Sequence, residues 1–140
     1  AQYIRPLLWR NPSGENERLL ILRLAVVLAA VPSMSSRGEV ASWLFQLDLL
    51  RIELIKLWYL EAGIQYATQY KHFGEIFPRR LLERLLVTYP RNPETIVAIS
   101  ESCLMLMQDM ELALRRLFPE YPHELDVFSR VVARAGGQLP

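Results

Sequence analysis

Apolar positions along this chain recur at spacings of three and four residues and almost nowhere alternate two by two, the periodicity of packed helices. No Asn-Gly or Asp-Gly pair offers a hairpin turn, so strands are not expected. The densest apolar run, residues 19–31 (LLILRLAVVLAAV), carries one charge, Arg23, and meets Pro32 at its end. It falls short of the roughly 20 apolar residues that cross a bilayer. Nor do its apolar residues keep to one face, as those of a helix lying on a membrane would. The pattern predicts a buried helix from about Pro12 or Ser13 to Val31, with Asn11-Pro12 as cap and first helical residue and Pro32 as its end.

Ser36-Arg37-Gly38-Glu39 has the spacing of a capping box and predicts a long helix running to about Ala62, stopped by Gly63. Trp43, Leu47, Leu50, Leu54 and Leu57 form one apolar stripe on it, and Phe45, Leu49, Ile52 and Tyr59 form a second. A helix apolar on two sides is expected at the centre of a fold. Residues 64–73 read as helix, either continuing past Gly63 or separate. Phe77-Pro78 opens a short helix to about Tyr89 with Leu81, Leu82, Leu85 and Leu86 inward, stopped by Tyr89-Pro90.

Asn92-Pro93-Glu94 repeats the cap-then-proline signature. The helix after it carries Ile96, Ile99, Cys103, Leu106, Met110, Ala113 and Leu117 as a packing seam, up to Phe118-Pro119. A last helix from about Pro122 to Ala135 presents Leu125, Phe128, Val132 and Ala135, and Gly136-Gly137 is expected to end it. The fold class is therefore all-α: one domain over residues 1–140, a compact bundle of five to six helices around a long central helix at about 39–62. Residues 1–11 would form an N-terminal arm and 136–140 a loose tail.

Composition sharpens this picture. Of 140 residues 51% are hydrophobic, and mean hydropathy is +0.11. That is oily for a domain of this size, whose surface demands a large polar exterior, so some apolar surface should be left over. Sixteen basic against fifteen acidic side chains leave a formal charge of +1, so no global field draws the chain to nucleic acid or anionic lipid. Cys103 is the only cysteine. An internal disulfide scaffold is excluded, and a reducing compartment, the cytoplasm, is the expectation. A start at Ala1 without methionine is what a processed or trimmed chain would show.

Three groups of side chains stand out. Arg23, Asp48 and Arg51 are charges among apolar neighbours, where an unpaired ion is costly. A pairing of Asp48 with Arg51 along the helix, or with Arg23 across the core, is the favoured reading over a ligand site. Arg79, Arg80, Arg84 and Arg91, near Lys71 and His72, make a basic segment. Arg80 and Arg84 at i and i+4 could grip a phosphate or carboxylate, and Tyr66, Tyr70 and Phe73 could stack bases, although a solvated helix face balanced by acids elsewhere is the favoured reading, since the net charge gives no steering field. Met105, Met107 and Leu112, with Trp9 of the arm, form a candidate apolar interface, because Met-rich helix surfaces adapt to varied partners.

No catalytic constellation accompanies them. His72 and His123 are far apart in sequence, and no zinc or di-iron spacing, phosphate-cradling glycine loop or activated nucleophile is present. Catalytic residues, metal and cofactors are accordingly expected to be none. The expected function is a non-enzymatic helical interaction module, an adaptor, chaperone-like or regulatory subunit that buries apolar helix surface against itself or a protein partner. The alternatives are a nucleic-acid accessory protein gripping phosphates through the arginine cluster and, further off, a small-molecule or lipid carrier or enzyme with a cavity between helices.

Overall fold

The computed structural model describes residues 15–35, 39–63, 77–91 and 95–140. Among these residues six helices follow in chain order: α1 (Glu15–Ala29), α2 (Val31–Ser35), α3 (Val40–Glu61), α4 (Arg79–Val87), α5 (Ile96–Leu117) and α6 (Pro122–Gln138). No strand occurs among the described residues. The protein is an all-α helical bundle with the long helix α3 in contact with α4 and α5. The Asn11-Pro12 cap, the arm with Trp9, the segment 64–73 and the cap at 92–94 lie outside the described residues.

Proline divides the first apolar run and does not end it. Ala30 N–H falls back to Val27 O at 3.3 Å, and Pro32 has no N–H to extend the ladder. Proline is tolerated in a first helical turn, so α2 restarts at once and turns the chain toward α3. At the start of α3 the expected capping box is replaced. Glu39 is itself the cap residue, without a side-chain bond to the helix backbone, and its carboxylate accepts the Ser42 hydroxyl at 2.9 Å. The other end follows the sequence pattern: Gly63 adopts φ 74°, open to residues without a Cβ, and donates to Leu60 O at 3.1 Å.

Helix α5 carries the core. Its seam Ile99, Cys103, Leu106, Met110 and Ala113 is wholly buried. The helix packs closely on both α3 and α6, while α1 packs on α6. Arg116 Nε and Nη2 reach Glu61 at 2.8 and 3.0 Å, setting the C-terminal ends of α3 and α5 side by side. Arg18, over the Tyr121 ring at 5.2 Å and 3.8 Å from Glu124, does the same for the N-terminal ends of α1 and α6. Three sides of a four-helix arrangement are thereby closed. The fourth, between α1 and α3, has no comparably close packing and is crossed by Arg23 Nη2 to Glu53 Oε2 at 3.5 Å.

The second stripe of α3 faces out: Phe45, Leu49 and Ile52 are exposed, and only Tyr59 is buried. On α4, Leu85 is buried and Leu81 and Leu82 half-buried, but Leu86 is exposed, because a nine-residue helix lying against the bundle by one edge turns its next residue away. Helix α6 runs through Gly136-Gly137 to Gln138, and Leu139 packs half-buried against the core in place of a loose tail. Gly136 is a close-approach glycine, for a Cβ there would stand 2.9 Å from Leu104 Cδ1 of α5.

That contact can be measured. With Leu104 cut to alanine the clash is gone, and Gly136→Ala is expected to stabilise the Leu104→Ala chain by about 0.5–1 kcal/mol through helix propensity. In the native sequence the gain should be smaller or reversed. Equal effects in both backgrounds, by urea denaturation, would contradict the packing.

Candidate interaction surface

Helix α4 is fixed more by polar pins than by apolar burial. Arg51 of α3, 4% exposed, donates from Nε to Thr88 Oγ1 at 2.9 Å, from Nη2 to Thr88 O at 2.8 Å and from Nη1 to Asp48 Oδ1 at 2.5 Å. Its guanidinium carbon lies 3.6 Å from the centre of the Tyr89 ring. Thr88 caps α4 and passes its own hydroxyl proton to Leu85 O at 2.6 Å. A cation is well placed at a helix C-terminus, where carbonyls lack partners. A second pin runs from Arg84 Nε and Nη2 to the buried carboxylate of Asp109 on α5, at 2.7 and 3.0 Å. Hydrogen bonding to Asp109, with its charge adding, holds the Arg84 guanidinium above its ordinary pKa against the opposing effect of burial. Phe77, just before α4, meets Tyr59 edge to face with centroids 4.9 Å apart.

These pins hold open a groove of about 580 Å³ between the end of α4 and the first half of α5. Leu86, Val87, Tyr89 and Pro90 form one wall and Ala98, Ser102 and Met105 the other, with Arg91 and Glu101 also lining it. Leu86, Val87, Tyr89 and Val97 are all exposed, as is Leu112 further along α5. Val97, Met105 and Leu112 follow helical spacing, so the groove continues into an apolar outer face of α5.

The residues singled out from sequence fare differently. Of the buried-charge group, Asp48 and Arg51 meet, whereas Arg23 does not join them. Its side chain is 56% exposed and pairs with Glu53, because the α1 face that bears it turns away from the core. Of the arginine cluster, Arg79 pairs with Glu83 at 3.1 Å, Arg80 is exposed, and Arg91 lines the groove. The joint grip expected of Arg80 and Arg84 is not assembled, since Arg84 is turned onto Asp109. Lys71, His72, Tyr66, Tyr70 and Phe73 lie outside the described residues. Met107, like Met110, is fully buried and is core and not interface. Leu112 is exposed and Met105 half-buried.

Thr88, Asp109, Glu61 and the turn after α4 were not visible as site residues in the sequence. The only hint was the unusual polar side chain each presents beside apolar neighbours. Among the described residues no group of three His, Cys, Asp or Glu side chains is placed to hold a metal ion, and no helix is long and apolar enough to cross a membrane. Burial pushes the Cys103 thiol up to about 12. No protein-family model, curated protein or solved structure matches the chain.

Two outcomes test these assignments. Arg51→Ala removes charge-assisted bonds from a buried carbonyl and hydroxyl and is expected to cost about 2–3 kcal/mol. Asp48→Asn, at a side chain 58% exposed, should cost less than about 1 kcal/mol. Similar costs for the two in urea titrations would contradict the pin. For Cys103 the folded chain holds the thiol proton more tightly than the unfolded one. Its contribution is full below pH 9 and is lost as pH rises toward about 12, a slope that Cys103→Ala should lack. At about pH 8 a thiol reagent should react only as the chain opens, and prompt native labelling would overturn the assignment.

Proposed function

We propose that the protein is a non-enzymatic interaction module, an adaptor or regulatory subunit whose α4–α5 groove takes an amphipathic helix of a protein partner. The observation that supports this reading is the groove itself, with exposed Leu86, Val87 and Tyr89 on its α4 side and half-buried Ala98 and Met105 on its α5 side. Helix-in-groove recognition needs a trough presented by rigid walls. Arg51 and Arg84 supply that rigidity by tying α4 to α3 and α5. Leu86 and Met105 suit leucine-like anchors of the incoming helix, and the thioether of Met105 can repack around different ones. Arg91 and Glu101 give the groove one charge of each sign, so a helix flanked by an acid and a base is favoured over a strongly charged one. The single, buried thiol fits a reducing compartment such as the cytoplasm.

A display library of amphipathic helices provides the test. Helices selected on the native chain are expected to bind at least ~10-fold more weakly to Met105→Glu and Leu86→Glu variants, the loss typical of a central interface anchor. The variants should keep the native circular dichroism spectrum. Selected helices that bind both variants as well as the native chain, or a library that yields none, would contradict the groove.

A further inference from the structure

The open side of the bundle, away from the α4–α5 groove, carries its own apolar face. On α1, Leu19, Val26 and Val27 share the side of Arg23 by helical spacing, and on α3 Leu49 and Ile52 precede Glu53 within about one turn, with Phe45 a turn further back. All six are exposed, Val26 at 71% and Phe45 at 60%. Leu22, also exposed, adjoins them on α1, and the face lies on the side where α1 and α3 do not pack closely on each other.

We propose that this face is covered by a second copy of the chain, in a two-fold dimer that sets α1 and α3 of one protomer against α1 and α3 of the other. The charges select that occupant. Arg23 and Glu53 sit at the face, one of each sign, while Asp48 beside it is already engaged by Arg51. A strongly acidic or basic partner would leave one of the two opposed by like charge, whereas a rotated copy brings the same balanced pair. The Arg23–Glu53 contact within one chain is a single bond at 3.5 Å with Arg23 half in solvent. Exchanging it for Arg23 against the partner protomer's carboxylate therefore costs little and gains desolvation of the six apolar side chains.

Charge exchange tests this directly, by sedimentation equilibrium and native mass spectrometry. The native chain is expected to be a dimer that dissociates on dilution. Val26→Glu and Phe45→Glu, on different helices and at exposed positions, should each raise the dissociation constant at least ~10-fold, while Met105→Glu in the groove should leave it unchanged. Arg23→Glu and Glu53→Arg chains alone should be monomeric, since each self-pairing sets like charges together. Mixed, they should form a heterodimer, because each glutamate of one then faces an arginine of the other. A native chain that stays monomeric at every concentration, whether or not it binds lipid vesicles, overturns the proposal. So does a dimer that Met105→Glu breaks and Phe45→Glu spares, or a mixture of the two charge variants that remains monomeric. Failure of the groove to bind any helix would leave this face untouched, as the two readings rest on different residues.

Discussion

The double packing of α5 is the constraint on which the rest of the molecule depends. One helix supplies the inner surface for α3 and for α6, and α1 packs closely on α6. Each fully buried Leu, Ile, Met or Phe contributes about 1.5–3 kcal/mol relative to exposure, and the fully buried side chains gather along α5 and the faces of α3, α1 and α6 that it organises. Gly136 shows how closely α6 approaches α5, since a further methyl group there would have to displace the end of the Leu104 side chain. Among the described residues, exposed apolar side chains are left on the outer sides of α1, α3 and α5.

Helix α4 solves a different problem. Nine residues with one fully buried side chain cannot hold a position by apolar burial alone. Two arginines carry the load, each reaching across elements to an acceptor that would otherwise lie buried without a strong partner. Arg51 offsets its own desolvation with three hydrogen bonds and an aromatic face. Arg84 offsets that of Asp109 with a two-point contact. Polar pins of this kind fix geometry closely because their directions are narrow. The backbone that carries Leu86, Val87 and Tyr89 is thereby tied to α3 and α5 although these side chains face solvent.

Much of this was legible in the sequence where one helix alone decides the outcome. The α5 seam, the inner stripe of α3 from Trp43 to Leu57, the Gly63 stop and the Leu125–Phe128–Val132–Ala135 face follow from helical periodicity. Pairing across the chain was not legible in the same way. Arg51 finds Thr88 and Arg84 finds Asp109 across separations that no local spacing reports, and Arg23 looked buried because its apolar neighbours on both sides concealed which face would turn outward. The two apolar stripes of α3 were equally plausible core faces, and only the placement of α5 chooses between them. Gly136-Gly137 misled for a related reason: of a pair that reads locally as a stop, Gly136 lies in close approach to another helix and Gly137 faces open space.

The central claim is that both apolar faces are fixed surfaces on one cooperative core and not the loose exterior of a collapsed chain. Native-state hydrogen exchange followed across low denaturant tests it most directly. Amides of residues 103–114 should exchange only through global unfolding, and those of α3 beneath Phe45, Leu49 and Ile52 should share that same opening. Exchange of α3 and α5 through separate, low-energy openings, with no residue reaching the global value, would contradict the account.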